Sequence, residues 1–136
     1  MKNILITHPN FVGFANKISK ESDSIVIGNS NCEEVLESIK KGDVEKLGII
    51  FETRGMNVLD FIKKAYSIDQ TLPILVLNCP SLHFEELADY PELLEDNIFF
   101  VDCSDFKDDP FFELLNKFFS ESLTKFDVEI LERVEN

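Results

Sequence analysis

The chain has 136 residues, 44% hydrophobic and 29% charged, which suits one domain with a sizeable core. Its 13 Lys and Arg stand against 26 Asp and Glu, and a net charge of −13 repels phosphate backbones, which excludes autonomous nucleic-acid binding. Apolar runs such as Ile74-Leu75-Val76-Leu77 fall far short of the ~18 residues a membrane span needs.

In chain order, short apolar runs alternate with helical patterns. Lys2-Asn3-Ile4-Leu5-Ile6-Thr7 reads as a buried strand closed by Pro9-Asn10. Phe11, Phe14, Ala15 and Ile18 then recur at helical spacing. Ser24-Ile25-Val26-Ile27 is a second strand, stopped by Gly28-Asn29-Ser30-Asn31. The next helix carries Val35, Leu36 and Ile39, with Lys40-Lys41 in its last turn and Gly42 as its stop. Leu47-Gly48-Ile49-Ile50-Phe51 is a third strand, followed by a Gly55-containing loop and a helix with Val58, Leu59, Ile62 and Ala65.

After Leu72-Pro73 comes the most apolar strand, Ile74 to Leu77, ended by Asn78-Cys79-Pro80. Leu82 to Asn97 is acidic and irregularly helical, with Pro91 as a breaker. Ile98-Phe99-Phe100-Val101 is the fifth strand. Asp108 and Asp109 offer N-caps, Pro110 suits the first helical position, and a Phe-rich helix follows. Five strands alternating with helices predict βαβ units, a mainly parallel sheet and an open, doubly wound three-layer α/β sandwich. In such sheets ligand chemistry gathers at the carboxyl ends of the strands, here Thr7-His8, Gly28-Asn29, Glu52-Thr53, Asn78-Cys79 and Asp102-Cys103.

The stretch Gly55-Met56-Asn57-Val58-Leu59-Asp60-Phe61-Ile62-Lys63-Lys64, continuing through Ile68-Asp69 to Leu72-Pro73-Ile74-Leu75-Val76-Leu77-Asn78, resembles a response-regulator receiver domain. Ser30-Asn31-Cys32-Glu33-Glu34-Val35-Leu36 resembles the stretch after the receiver's second strand. The likeness spans residues 2–120 in element order and is motif-specific over about 28–78. It implies a flavodoxin-like fold with a five-stranded parallel sheet of order 2-1-3-4-5. It also implies a receiver domain over 1–120, with 121–136 as a C-terminal helical extension or linker.

A working receiver needs an acidic pair for Mg²⁺ after its first strand and a phosphoacceptor Asp after its third. A Thr or Ser after the fourth strand and a Lys after the fifth contact the phosphoryl oxygens. Carried onto this chain, the acidic pair falls on His8 and Pro9, the phosphoacceptor on Glu52, the Thr/Ser on Asn78, and the Lys on Cys103 or a neighbour. All five positions depart from the pattern. The expectation is therefore a degenerate receiver, a pseudo-receiver without catalytic residues, metal or cofactor. Glu52 reads either as a built-in imitation of a phosphorylated Asp or as a solvated strand-end residue.

Other readings compete. His8, Glu52, Cys79 and Cys103 could converge on one strand edge as a metal or ligand site, or as part of a small flavodoxin-like enzyme. None of them has ordinary zinc-site spacing, and buried cysteines commonly serve as small hydrophobes. No nucleophile-elbow pattern and no Gly-rich phosphate loop accompanies them. His83 reads as a surface residue.

From Phe111 to Leu123 the last helix carries Phe111, Phe112, Leu114, Leu115, Phe118, Phe119 and Leu123 over half of its wheel. Such an arc is either wedged between the sheet and a neighbouring helix or presented to a partner. Phe112 and Phe119 share one edge of it. With Phe99, Phe100 and Phe106 nearby, Phe100, Phe111, Phe112, Phe118 and Phe119 form the candidate interface, for a protein partner or a second copy. Beyond Ser120, Leu123, Phe126, Ile130 and Val134 recur every three or four residues, as in a signalling helix or a helix packed on its own domain.

The odd number of cysteines (Cys32, Cys79 and Cys103) argues against a disulfide framework, and Met1-Lys2 leads directly into a strand pattern without a secretory leader. The expectation is a cytoplasmic, non-enzymatic signalling or scaffold module that acts through protein contacts, with no nucleic acid and no membrane.

Overall fold

The computed structural model describes residues 2–7, 13, 16–17, 20, 24–28, 32–51, 58–78, 91, 97–102 and 108–121. At Gly28, Phe51, Asn78, Asp102 and residues 108–112 the description is of backbone alone. The elements are β1 (Lys2–Thr7), β2 (Ser24–Gly28), α1 (Cys32–Lys40), β3 (Val44–Phe51), α2 (Val58–Ile68), β4 (Ile74–Asn78), β5 (Ile98–Asp102) and α3 (Asp108–Ser120). Gly13, Asn16, Lys17 and Lys20, in the stretch expected to form the first helix, have helical backbone and are exposed.

All four strand pairings are parallel, and the sheet order is β2-β1-β3-β4-β5. This is the flavodoxin-like topology implied by the receiver resemblance. Parallel strands require covered faces, so their residues are apolar in both directions. On one face Ile4, Ile6, Leu47, Ile49, Ile74, Val76 and Ile98 meet Val35, Leu36 and Ile39 of α1 and Val58, Leu59, Phe61, Ile62 and Ala65 of α2. On the other, Leu5, Ile50, Leu75, Leu77, Phe99 and Val101 meet Leu114, Leu115, Phe118 and Phe119 of α3. The three layers follow directly from this two-way alternation.

Local chemistry fixes the element ends. α1 starts with Glu33 and Glu34 and ends with Lys40, charges that oppose its macrodipole. Gly42 then takes a φ of 74°. Its amide donates to the Ile39 carbonyl at 3.0 Å and the Asp43 amide donates to the Ser38 carbonyl at 3.1 Å, the paired bonds of a Schellman stop. Between α2 and β4, Asp69 Oδ1 accepts from the Thr71 amide at 3.0 Å and from its hydroxyl at 2.8 Å. Asn97 Nδ2 donates to the carbonyls of Gln70 (3.0 Å) and Leu72 (2.9 Å), which ties this turn to the start of β5.

β3 begins at Val44, three residues before the strand expected at Leu47. The cause is a bulge: Lys2 pairs with Val44 but Asn3 pairs with Lys46, leaving Glu45 as the extra residue. Val44 and Leu47 therefore both enter the core shared with α1 and α2, although they stand three positions apart. Among the described residues no helix is long and apolar enough to cross a membrane. Residues 122–136, in which the C-terminal extension was expected, lie outside the described residues, as does most of Leu82 to Asn97.

Candidate functional site

The carboxyl edge of the sheet is built by register. Thr7, fully buried at the end of β1, pairs with Gly28 and Ile50. One step further on, Phe51, Asn78 and Asp102 lie level across β3, β4 and β5. Of the expected pocket residues, Asn78 is thus placed by its backbone as the last residue of β4. His8, Pro9, Glu52 and Cys103 lie outside the described residues, as do Cys79 and His83. Among the described residues, no three His, Cys, Asp or Glu side chains come together as a metal-binding group.

Asp102 stands at the strand-end edge, where the sequence places Asp102-Cys103. What the sequence left open was its register, since the receiver's Lys fell on Cys103 or a neighbour. β4 and β5 start level, Ile74 beside Ile98, and four residues later Asn78 stands beside Asp102. Counting both strands from their first isoleucines would have found this alignment. Neither Asp102 nor any residue through Phe106 is a Lys or Arg.

The last helix turns Leu114, Leu115, Phe118 and Phe119 inward. Phe118 is 1% exposed and Phe119 5%, which corrects the expectation that these two belong to a partner face. The Phe118 ring meets Phe99 edge-on (centroids 6.5 Å apart) and Phe119 edge-on (5.2 Å), both within the distances favoured by aromatic pairs. Room for Phe119 comes from Gly48 in the middle of β3. An added Cβ there would lie 2.9 Å from Phe119 Cζ and 3.2 Å from Leu5 Cδ1. The helix therefore packs close to the sheet, and the described part of its arc lies in the core. Phe100 is half-buried against the core on the α1 and α2 side. The side chains of Phe111 and Phe112, and all of Phe106, lie outside the described residues.

Two titratable groups depart from their ordinary behaviour. Burial, reinforced by the Glu33 carboxylate, pushes the Cys32 thiol upward, so at neutral pH it is a protonated, poor nucleophile. Burial pulls the Lys46 ammonium downward, and Glu45 partly opposes that.

No known family model matches the chain, and no curated protein does. Solved structures do. A CheY-like response regulator receiver domain protein from Methanospirillum hungatei superposes with a TM-score of 0.59 at 13% identity, covering 98% of each chain. A de novo designed Rossmann 2x3 protein gives 0.56 at 14% identity, covering 92% of this chain and 98% of the design. An adenylate cyclase from Rhodopirellula baltica gives 0.51 at 15% identity, covering 99% of this chain and 96% of that one. These likenesses show the fold. A natural receiver and a designed protein fit almost equally well, so any function has to be argued from particular residues.

Proposed function

We propose that the chain is a receiver-fold signalling module that works through protein contacts and does not take up phosphate. The observation that carries this reading is Asp102 standing level with Asn78. Phosphoryl transfer to a carboxylate needs cations to offset the charge on the transferred group. Here an acid occupies the strand end beside which a receiver keeps its Lys. The residues following β1, His8 and Pro9, supply no carboxylate pair for Mg²⁺, a hard cation that prefers oxygen ligands. Glu52 alone cannot restore that chemistry.

Incubation with Mg²⁺ and acetyl phosphate, followed by intact-mass measurement, tests the proposal. The expected result is an unchanged mass. A stoichiometric adduct, +80 Da being the mass of one phosphoryl group and labile to hydroxylamine, would overturn it (~1 group per chain).

With Phe118 and Phe119 in the core, the proposed contact surface narrows to β5 and the opening turns of α3. β5 is an edge strand of the sheet, and Phe100, Phe111 and Phe112 belong to these two elements. A protein partner fits this face better than a second copy, because −13 on each chain opposes self-association except where salt screens it beyond ~8 Å. A second reading, a ligand or metal site, draws on the level strand ends: Glu52, Cys79 and Cys103 each follow one of Phe51, Asn78 and Asp102 in sequence. Metal analysis of the purified protein separates the two, since stoichiometric zinc favours the second.

A further inference from the structure

We infer that Lys46 is a latch that holds the C-terminal turn of α3 on the sheet. Helices leave their last carbonyls without intrahelical donors, and their C-termini carry a partial negative charge. Here the Lys117 carbonyl is served by the Glu121 amide at 2.9 Å. The Lys46 ammonium donates to the Phe118 carbonyl at 2.6 Å and to the Glu121 carbonyl at 2.5 Å. It also lies 5.7 Å from the centroid of the Phe118 ring, within cation–π range.

This cap comes from a residue 72 positions away from Phe118.

The bulge at Glu45 aims the latch. Without the extra residue, Val44 and Lys46 would share one face of β3, because strand side chains alternate. With it, Val44 enters the core under α1 and α2 while Lys46 reaches α3 on the opposite side. One irregularity thus serves both layers. Since β3 lies at the centre of the sheet order, the latch joins the middle of the sheet to the last described turn of the chain.

Hydrogen exchange on the full chain, resolved by residue, tests this with Lys46→Met and Lys46→Arg. Met keeps the apolar stem and removes the donors, whereas Arg keeps a cation with donors. The expected result is that Glu121 amide protection falls about tenfold in K46M, the scale of one charged hydrogen bond. Amides in α1 and α2 should be unchanged, and K46R should recover most of the loss. Equal protection of Glu121 in K46M and the parent would overturn the latch. A uniform fall across α1, α2 and α3 would overturn it as well, because Lys46 would then support the whole fold and not this turn.

Discussion

Gly48 and Phe119 occupy one another's space: the position a Cβ would take on Gly48 lies 2.9 Å from the Phe119 ring. The glycine's role here is the absence of a side chain. Replacing a strand glycine by alanine usually lowers unfolded-state entropy and stabilises by ~0.4–1 kcal/mol. At this site overpacking dominates, since the ring is buried against Leu5 and Phe118 and has little room to retreat. Gly48→Ala is expected to destabilise by ~1–3 kcal/mol in urea unfolding. In the double variant with Phe119→Leu, the penalty for adding the methyl should shrink.

Phe119→Asp is expected to abolish cooperative unfolding instead of selectively weakening association. It would place a charge among Phe118, Leu115 and the sheet, where the parent side chain is 5% exposed. Loss of the near-ultraviolet circular dichroism signal would register this. A folded F119D protein that had merely lost a partner would contradict the packing described above.

Asn97 joins the α2–β4 turn to β5 through a single amide group that donates to two carbonyls. Asn97→Ala is expected to cost about 1 kcal/mol or somewhat more, because the half-buried Leu72 carbonyl would lose its side-chain donor. Chemical denaturation gives the value. Amide exchange should show the loosening concentrated at residues 70–74.

Cys32 carries a pH dependence of definite sign. Its thiol in the folded chain titrates above the usual 9.0, through burial and Glu33. The folded state therefore binds its proton more tightly than the unfolded state does. The resulting contribution is fully present below pH 9.0 and is lost as pH rises through the folded value. Stability of the parent should fall more steeply above pH 9.0 than that of Cys32→Ala. Peptide mapping should also find Cys32 alkylated by iodoacetamide more slowly than a small free thiol at pH 8, where little of it is thiolate.

Much of the fold was legible because burial leaves a periodic trace. The runs at Ile4–Ile6, Ile74–Leu77 and Ile98–Val101 marked strands, and Val35, Leu36 and Ile39 with Gly42 marked a helix and its stop. Strand order came from the receiver resemblance, since period reveals which face a residue takes and not which strand lies beside it. The bulge escaped notice because Val44-Glu45-Lys46 mixes one apolar residue with two charges. Whether Phe119 faced inward depended on Gly48, a partner 71 positions away with no side chain to advertise the contact. At the strand ends, Asp102 was legible, but its place beside Asn78 required the pairing of β4 with β5, and that is a property of two segments together.

The late position of α3 in the chain matters while the protein is being made. Its residues 114–119 are those that cover Leu5, Ile50, Leu75, Leu77, Phe99 and Val101 among the described residues. A ribosome adds ~5–20 residues per second, so all five strands emerge before this helix does. For about a second the strand residues that α3 covers lack that helix, and a chaperone that binds apolar strands competes directly with α3 for the same surface. A chain released before Leu114 should accordingly behave as a chaperone client or an aggregate, and not as a smaller domain.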